Sequence, residues 1–265
     1  MSDEHEQQAS DDGERVAFTH FAFTDETQYN VGPVRGLGMV SAPAGEVAAL
    51  AAELGALSGS SGVGELKWEK VRSAKGRYAA EQALRWALER ACEGRLRVDT
   101  LTWGADVARH DQQPLPHRAR LEHMYRRLLG EILPRCWPAG SRFAVHPDEQ
   151  GALRWQMLAR GLTQIVALEP RRSVAEPLIQ LADLFVGLAA FSRQAYATYD
   201  RWLALTHAHA AQTELSASDR VRCRLLDDFF LECKLRGLGV SLRTNAGLRT
   251  YDAARPVCFW WAETH

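Results

Sequence analysis

Hydrophobic and polar positions alternate along this chain in a succession of short periods. Around Phe21 and Phe23, aromatic and smaller residues take turns, which is the period of a strand whose two faces meet different surroundings. After a Gly32-Pro33 turn signal, residues 34–41 read as a second strand interrupted by Gly36 and Gly38. Residues 46–57 form an alanine-rich helix, and the Ser/Gly run at 58–64 is a loop. Residues 65–71 alternate charged and apolar side chains. As a strand they place Glu65, Lys67 and Glu69 on one face and Leu66 and Trp68 on the other. A helix over 78–93 carries Ala80, Leu84, Leu88 and Ala91 on its apolar stripe and closes at Gly94. A strand at 96–103 and a polar loop at 104–116 with Asp106, Arg109 and His110 follow. Pro134 ends a further helix over 118–133. Strands at 142–147 and 163–168 bracket a short helix at 153–160. Strands separated by helices indicate an α/β protein.

The helix at 176–191 has the most informative pattern. Leu178, Ile179, Leu181, Ala182, Leu184, Phe185, Val186, Leu188 and Ala189 cover most of its circumference, so it is buried. One polar stripe remains, made by Glu176, Gln180, Asp183 and Gly187. An ionised Asp183 without a partner would be costly inside the fold. The stripe must meet water, hydrogen-bond donors or a cation, and Gly187 leaves room for another group to approach. Two more helices, at 196–211 and 218–236, start from Ser218 or Asp219 in the second case and stop at Gly237. The tail beyond Val240 sets Arg243, Arg249 and Arg255 before Phe259-Trp260-Trp261, aromatics that either stack on single-stranded bases beside the arginines or form a final strand docked on the core.

Carboxylates recur where strands stop. Asp25-Glu26 follows the first strand, Asp148-Glu149 the one at 142–147, and Glu169 the one at 163–168. Acids are depleted in strands. Each such place is a turn, since Asp hydrogen-bonds its own backbone, or a site, since ligands in open α/β sheets gather at strand ends.

Composition narrows the setting more than the chemistry. With 46% hydrophobic residues and a net charge of -1, the chain can build a sizeable core and has no global pull toward nucleic acid or acidic membranes. Among the 32 basic residues only Lys67, Lys70, Lys75 and Lys234 are lysines, the rest being arginine, whose planar fork suits phosphate. Codon usage produces the same excess. The 5 cysteines form no CxxC pair, which argues against a zinc site or a disulfide framework and fits a reducing, cytoplasmic setting. Residues 1–15 are polar and acidic and read as a disordered tail rather than a signal peptide.

Four pieces in order, Thr24-Asp25-Glu26-Thr27, Glu65-Leu66-Lys67-Trp68, His146-Pro147-Asp148-Glu149 and Gln180-Leu181-Ala182-Asp183-Leu184, make the chain resemble the domain of unknown function 3800 family. The similarity runs over residues 16–190, and Thr27-Gln28 stands where the family often has Ser-Gly. The resemblance implies a ribonuclease H-like mixed sheet flanked by helices over 16–195, with residues 196–265 as a helical C-terminal extension packing on it. It also implies two Mg²⁺ or Mn²⁺ ions held by Asp25, Glu65, Asp148 and Asp183, with Asp25 bridging. Glu26, Glu69, Glu149 and Glu169 are substitutes for those ligands. Lys67 would contact a phosphate, and Gln180, assigned with it to substrate binding, would orient Asp183 or a metal-bound water. Two functions follow: a metal-dependent nuclease hydrolysing phosphodiesters of DNA or RNA, or a non-catalytic nucleic-acid-binding or regulatory partner on the same fold.

Overall fold

The computed structural model describes residues 17–27, 32–104, 116–149, 153–244 and 246–263. The elements begin with β1 (His20–Thr27), β2 (Val34–Pro43), α1 (Val47–Ser60), a 3-10 turn (Trp68–Lys70), α2 (Ala74–Cys92) and β3 (Arg97–Gly104). Then α3 (His117–Arg127) runs through a π-helical turn (Leu128–Ile132) into one last turn, α4 (Leu133–Arg135), past the expected stop at Pro134. Next come β4 (Phe143–Pro147), α5 (Trp155–Ala159), β5 (Ile165–Leu168) and a 3-10 turn (Ser173–Ala175). The chain continues with α6 (Pro177–Gln194), α7 (Tyr196–His207), α8 (Ala217–Leu235), β6 (Val240–Arg243), β7 (Gly247–Thr250) and β8 (Val257–Ala262). The acidic tail at 1–15, the loop residues Asp106, Arg109 and His110, and Gln28 lie outside the described residues.

This is an α/β fold around a six-stranded mixed sheet ordered β5-β4-β1-β2-β3-β8. β1 pairs antiparallel with β2 along its whole length and parallel with β4 over His20–Thr24, so that part is hydrogen-bonded on both edges. Helices cover both faces, and the alternation of side chains along each strand divides the core in two. Phe23, Val40, Ala42, Val98 and Phe259 point toward α1, α2, α6, α7 and α8. Ala22, Leu37, Met39, Leu101 and Phe143 point toward α3, α4 and α5. The same alternation places Asp25 with Phe23 on the α6 face and Glu26 with Ala22 on the α3 face.

α6 lies against β1 and β2. Gly38 explains how close: a Cβ there would stand 2.2 Å from the Ala182 carbonyl oxygen. Of the glycines that interrupt the second strand in sequence, Gly38 is therefore where the helix backbone meets the strand backbone, and Gly36 makes room for the Val186 side chain.

Two expectations are corrected. Residues 65–71 are not a strand. The segment is extended only to Lys67 and then turns in 3-10 form, because its backbone N–H groups go to side chains of α6 instead of a neighbouring strand. Leu66 N–H donates to Gln180 Oε1 at 2.8 Å and Trp68 N–H to Asp183 Oδ2 at 2.6 Å. Nor is the region after 195 a helical extension. It supplies α7 and α8, then the β6–β7 hairpin, and ends in β8, which pairs parallel with β3 inside the main sheet. Trp260 donates its Nε1–H to buried Asp99 at 3.0 Å, and Arg193 stacks on Trp261. The helix start in this region is Ser216, whose hydroxyl accepts from Asp219 N–H, rather than Ser218 or Asp219. No described helix is long and apolar enough to cross a membrane.

Candidate functional site

The polar stripe of α6 and the ends of β1 and β4 meet at one cleft. β1 and β4 run parallel with Thr24 opposite Pro147, and Asp148 N–H donates to Thr24 O at 2.8 Å. That register carries Asp148 beside Asp25 at the same sheet end. α6 crosses the α6 face of β1 and brings Asp183 to Asp25. An open cleft of about 380 Å³ is lined by Asp25, Glu26, Thr27, Lys67, Trp68, Glu69, Arg72, Asp148, Asp183 and Arg222.

Each of the three aspartates is held by a backbone donor. Asp25 Oδ1 accepts from Glu26 N–H at 2.7 Å, Asp148 Oδ1 from Ser173 N–H at 3.0 Å, and Asp183 Oδ2 from Trp68 N–H. Glu26 Oε2 accepts from the Tyr125 hydroxyl at 3.0 Å on the other side of the sheet. Its Oε1 is buried with no hydrogen-bond partner among the described residues. Such an atom is expensive unless something polar or cationic reaches it.

Crowding is visible in the protonation equilibria. Withdrawal from water pushes the Asp25 carboxyl well above the usual range, and the charges of Asp183, Glu26 and Asp148 push it further against the pull of the Glu26 N–H. Burial, with Asp148, drives Glu26 up to about 7 although Tyr125 opposes it. Asp183 rises to about 6 through burial, with Trp68 N–H and Lys67 opposing and Glu69 and Asp148 reinforcing. Lys67 loses to burial but gains more from Glu65, Asp25, Asp148 and Asp183, so its ammonium is stabilised overall.

Not every expected residue enters the cleft. Glu65 is absent from its lining. Its carboxylate is engaged by Lys70 at 3.0 Å, Lys67 at 3.4 Å and the Ser173 hydroxyl. Burial raises its pKa, and the two lysines more than offset this. Glu26 and Glu69 line the cleft instead. Glu149 and Glu169 are exposed and outside it, Glu169 pairing with Arg171. Among the described residues, Gln180 makes no hydrogen bond to Asp183, and it does not line the cleft. It is buried, with Oε1 on Leu66 N–H and Nε2 donating to Ser173 O at 2.7 Å, so its role is corrected to one of fastening the segments that carry Lys67 and support Asp148. Gly187 makes room for the Trp68 ring, since a Cβ there would lie 2.2 Å from Trp68 Cγ. Tyr125, Arg72 and Arg222 were missed. Arg72 directly follows the 65–71 segment and could have been included with it, whereas Arg222 arrives from α8 through packing that leaves no local signal.

Among the described residues, no three His, Cys, Asp or Glu side chains converge closely enough to hold a metal ion as they stand. Asp25, Glu26, Asp148 and Asp183 share a cleft without closing on one point.

No protein-family model matches the chain. It is 31% identical over 271 residues to "Uncharacterized protein ORF2'" of Methanothermobacter thermautotrophicus, covering 92% of this chain and 94% of that protein. It is also 31% identical over 268 residues to "Uncharacterized protein ORF2" of the same organism, with 92% and 94% covered. Identity at that level along nearly all of both partners makes this chain a member of the same family as the ORF2 and ORF2' proteins of Methanothermobacter thermautotrophicus.

Proposed function

We propose that this protein is a divalent-metal-dependent nuclease on a ribonuclease H-like fold, related to the domain of unknown function 3800 family. The observation that carries the reading is the meeting of Asp25, Asp148 and Asp183, from two parallel strand ends and a buried helix, in one cleft with Glu26. Such a donor set, all carboxylate oxygen, fits Mg²⁺ or Mn²⁺. The raised pKa values of Asp25, Glu26 and Asp183 come first from burial and then from neighbouring like charges, and a cation reaching these groups and the unpartnered Glu26 Oε1 would relieve both. Asp25, Asp148 and Asp183 would hold the ions, with Glu26 in the place the resemblance gives to Glu65. When bound, two such ions acidify a water and stabilise the charge on the departing 3′ oxygen.

The chain's own residues do the rest. Backbone donors from Glu26, Ser173 and Trp68 fix the carboxylate orientations, so little reorganisation is needed on binding. Glu65 keeps the Lys67 ammonium charged and directed, and Lys67 would contact a phosphate oxygen of the strand. One observation favours the second reading, a non-catalytic nucleic-acid-binding or regulatory partner: no three acids converge among the described residues.

Cleavage of labelled DNA and RNA panels separates the two. A nuclease will require Mg²⁺ or Mn²⁺, and Ca²⁺ will support binding with little turnover, because its looser coordination misplaces the attacking water. Asp25→Ala will reduce cleavage to the metal-free background. Absence of cleavage above that background with every ion and substrate would select the non-catalytic partner.

A further inference from the structure

Arg72 and Arg222 line the cleft that contains the acids. Arg72 is exposed just after the 3-10 turn, and Arg222 reaches in from α8. Arg222 Nε donates to Val71 O at 3.1 Å and Nη2 to Trp68 O at 3.3 Å, with the guanidinium 5.0 Å from the Trp68 ring centroid. These contacts fix the plane of the fork and leave Nη1 without an acceptor among the described residues. Asp219, one turn earlier on α8, attracts Arg222, yet its Oδ2 is engaged by the Ser216 hydroxyl. Burial and the like charge of Arg72 hold Arg222 below its usual pKa.

Among the described residues, neither arginine forms an ion pair with any of the five acids in the same cleft, whereas Lys67 is paired with Glu65 outside its lining. Opposite charges that share a cleft without neutralising each other have separate tasks. The acids suit cations, and two adjacent guanidiniums suit a tetrahedral anion that accepts several N–H bonds at once.

We propose that Arg72 and Arg222 form an anion subsite for a phosphodiester of a nucleic acid strand, next to the reacting one. The identity of the strand rests on the nuclease reading, but the anion subsite does not. α8 thereby becomes part of the substrate surface, a role that no motif in the sequence assigns to that helix.

Binding of short fluorescein-labelled single-stranded DNA and RNA, followed by anisotropy in Ca²⁺ over a range of KCl, tests this on the full chain. Arg72→Gln is expected to weaken binding severalfold and to reduce the salt slope by about 0.7, the value for one lost phosphate contact on a single strand. Arg222→Lys keeps the charge and loses the fork, so affinity is expected to fall with the slope nearly unchanged. Arg222 also props Trp68, and thermal melts will report any misfolding. Arg72 makes no hydrogen bond within the described residues and carries the test alone if Arg222→Lys fails to fold.

Unchanged affinity and slope in Arg72→Gln would overturn the subsite, as would wild-type protein that binds neither strand at any salt. If no ion supports cleavage while Arg72→Gln still weakens binding, the nuclease reading falls and the subsite stands. If wild type cleaves and Arg72→Gln alters neither binding nor cleavage, the subsite falls and the nuclease reading stands.

Discussion

Asp183 is pulled two ways. Its Oδ2 accepts a short hydrogen bond from Trp68 N–H, which favours the carboxylate, while burial and the charges of Glu69 and Asp148 disfavour it. The net shift is upward, from 3.8 to about 6. A carboxyl whose folded pKa lies above its unfolded value contributes stability that is fully present below the unfolded pKa and lost as pH rises through the folded one. In EDTA, Asp183→Asn should therefore melt close to wild type near pH 4 and at or above it beyond pH 7, with the difference opening as pH rises from about 4 and complete once it passes about 6. Comparing the two proteins cancels the titrating groups that Asp183 does not reach, while Asp25, which its charge pushes up, relaxes downward in the variant. The same substitution should abolish metal-dependent cleavage. A variant much less stable than wild type at every pH would make Asp183 chiefly the anchor of Trp68 N–H. The residue scale also separates Glu65 from Glu26: both are acids near strand or loop ends, but only the second lacks a partner for a buried oxygen.

At the scale of elements, the contact of α6 with β2 sets the position of the site. Asp183 follows directly on Ala182, the residue whose carbonyl Gly38 admits. Gly38→Ala would drive a methyl group to within 2.2 Å of that backbone oxygen, which cannot rotate away. A cost of about 3 kcal/mol, at the upper part of the usual overpacking range, is expected. Melting would fall by roughly 6–12 °C, with activity reduced because α6 must shift. Gly36→Ala meets the Val186 Cγ2 methyl at 2.6 Å instead, a side-chain group that can adjust, so its effect should be smaller in the same thermal melts. Equal melting temperatures for the two variants would contradict this account of how the helix is seated.

For the whole molecule, the last strand decides where the folding unit ends. β8 pairs with β3 over Val98–Trp103, and Phe259 packs in the same core as Phe229 of α8 and Val98. A chain cut after residue 195 would leave β3 as a bare edge and expose the apolar faces of α2 and α6 that α8 covers. It is expected to be insoluble or molten, detected by loss of cooperative thermal unfolding. A cooperatively folded fragment with retained cleavage would show that the unit does end near 195.

Much of this protein follows from local periodicity. The alternation around Phe21 and Phe23, the nearly all-apolar helix with one polar stripe, and the acids at strand ends are consequences of period and burial within a few residues. They suffice for the α/β class and for marking the acids as candidates, while the grouping of Asp25, Asp148 and Asp183 is what the family resemblance implies. Local pattern misled where distant side chains took over the hydrogen bonding. Residues 65–71 alternate like a strand, but Gln180 and Asp183 accept the N–H groups that a strand would give to a neighbour. Which acid enters the cleft was likewise beyond the sequence, because two lysines draw Glu65 aside and the strand alternation turns Glu26 toward Tyr125. Arg222 and β8 belong to the site and the sheet only because long-range packing brings residues more than a hundred positions apart into contact. No periodicity within either segment encodes its partner.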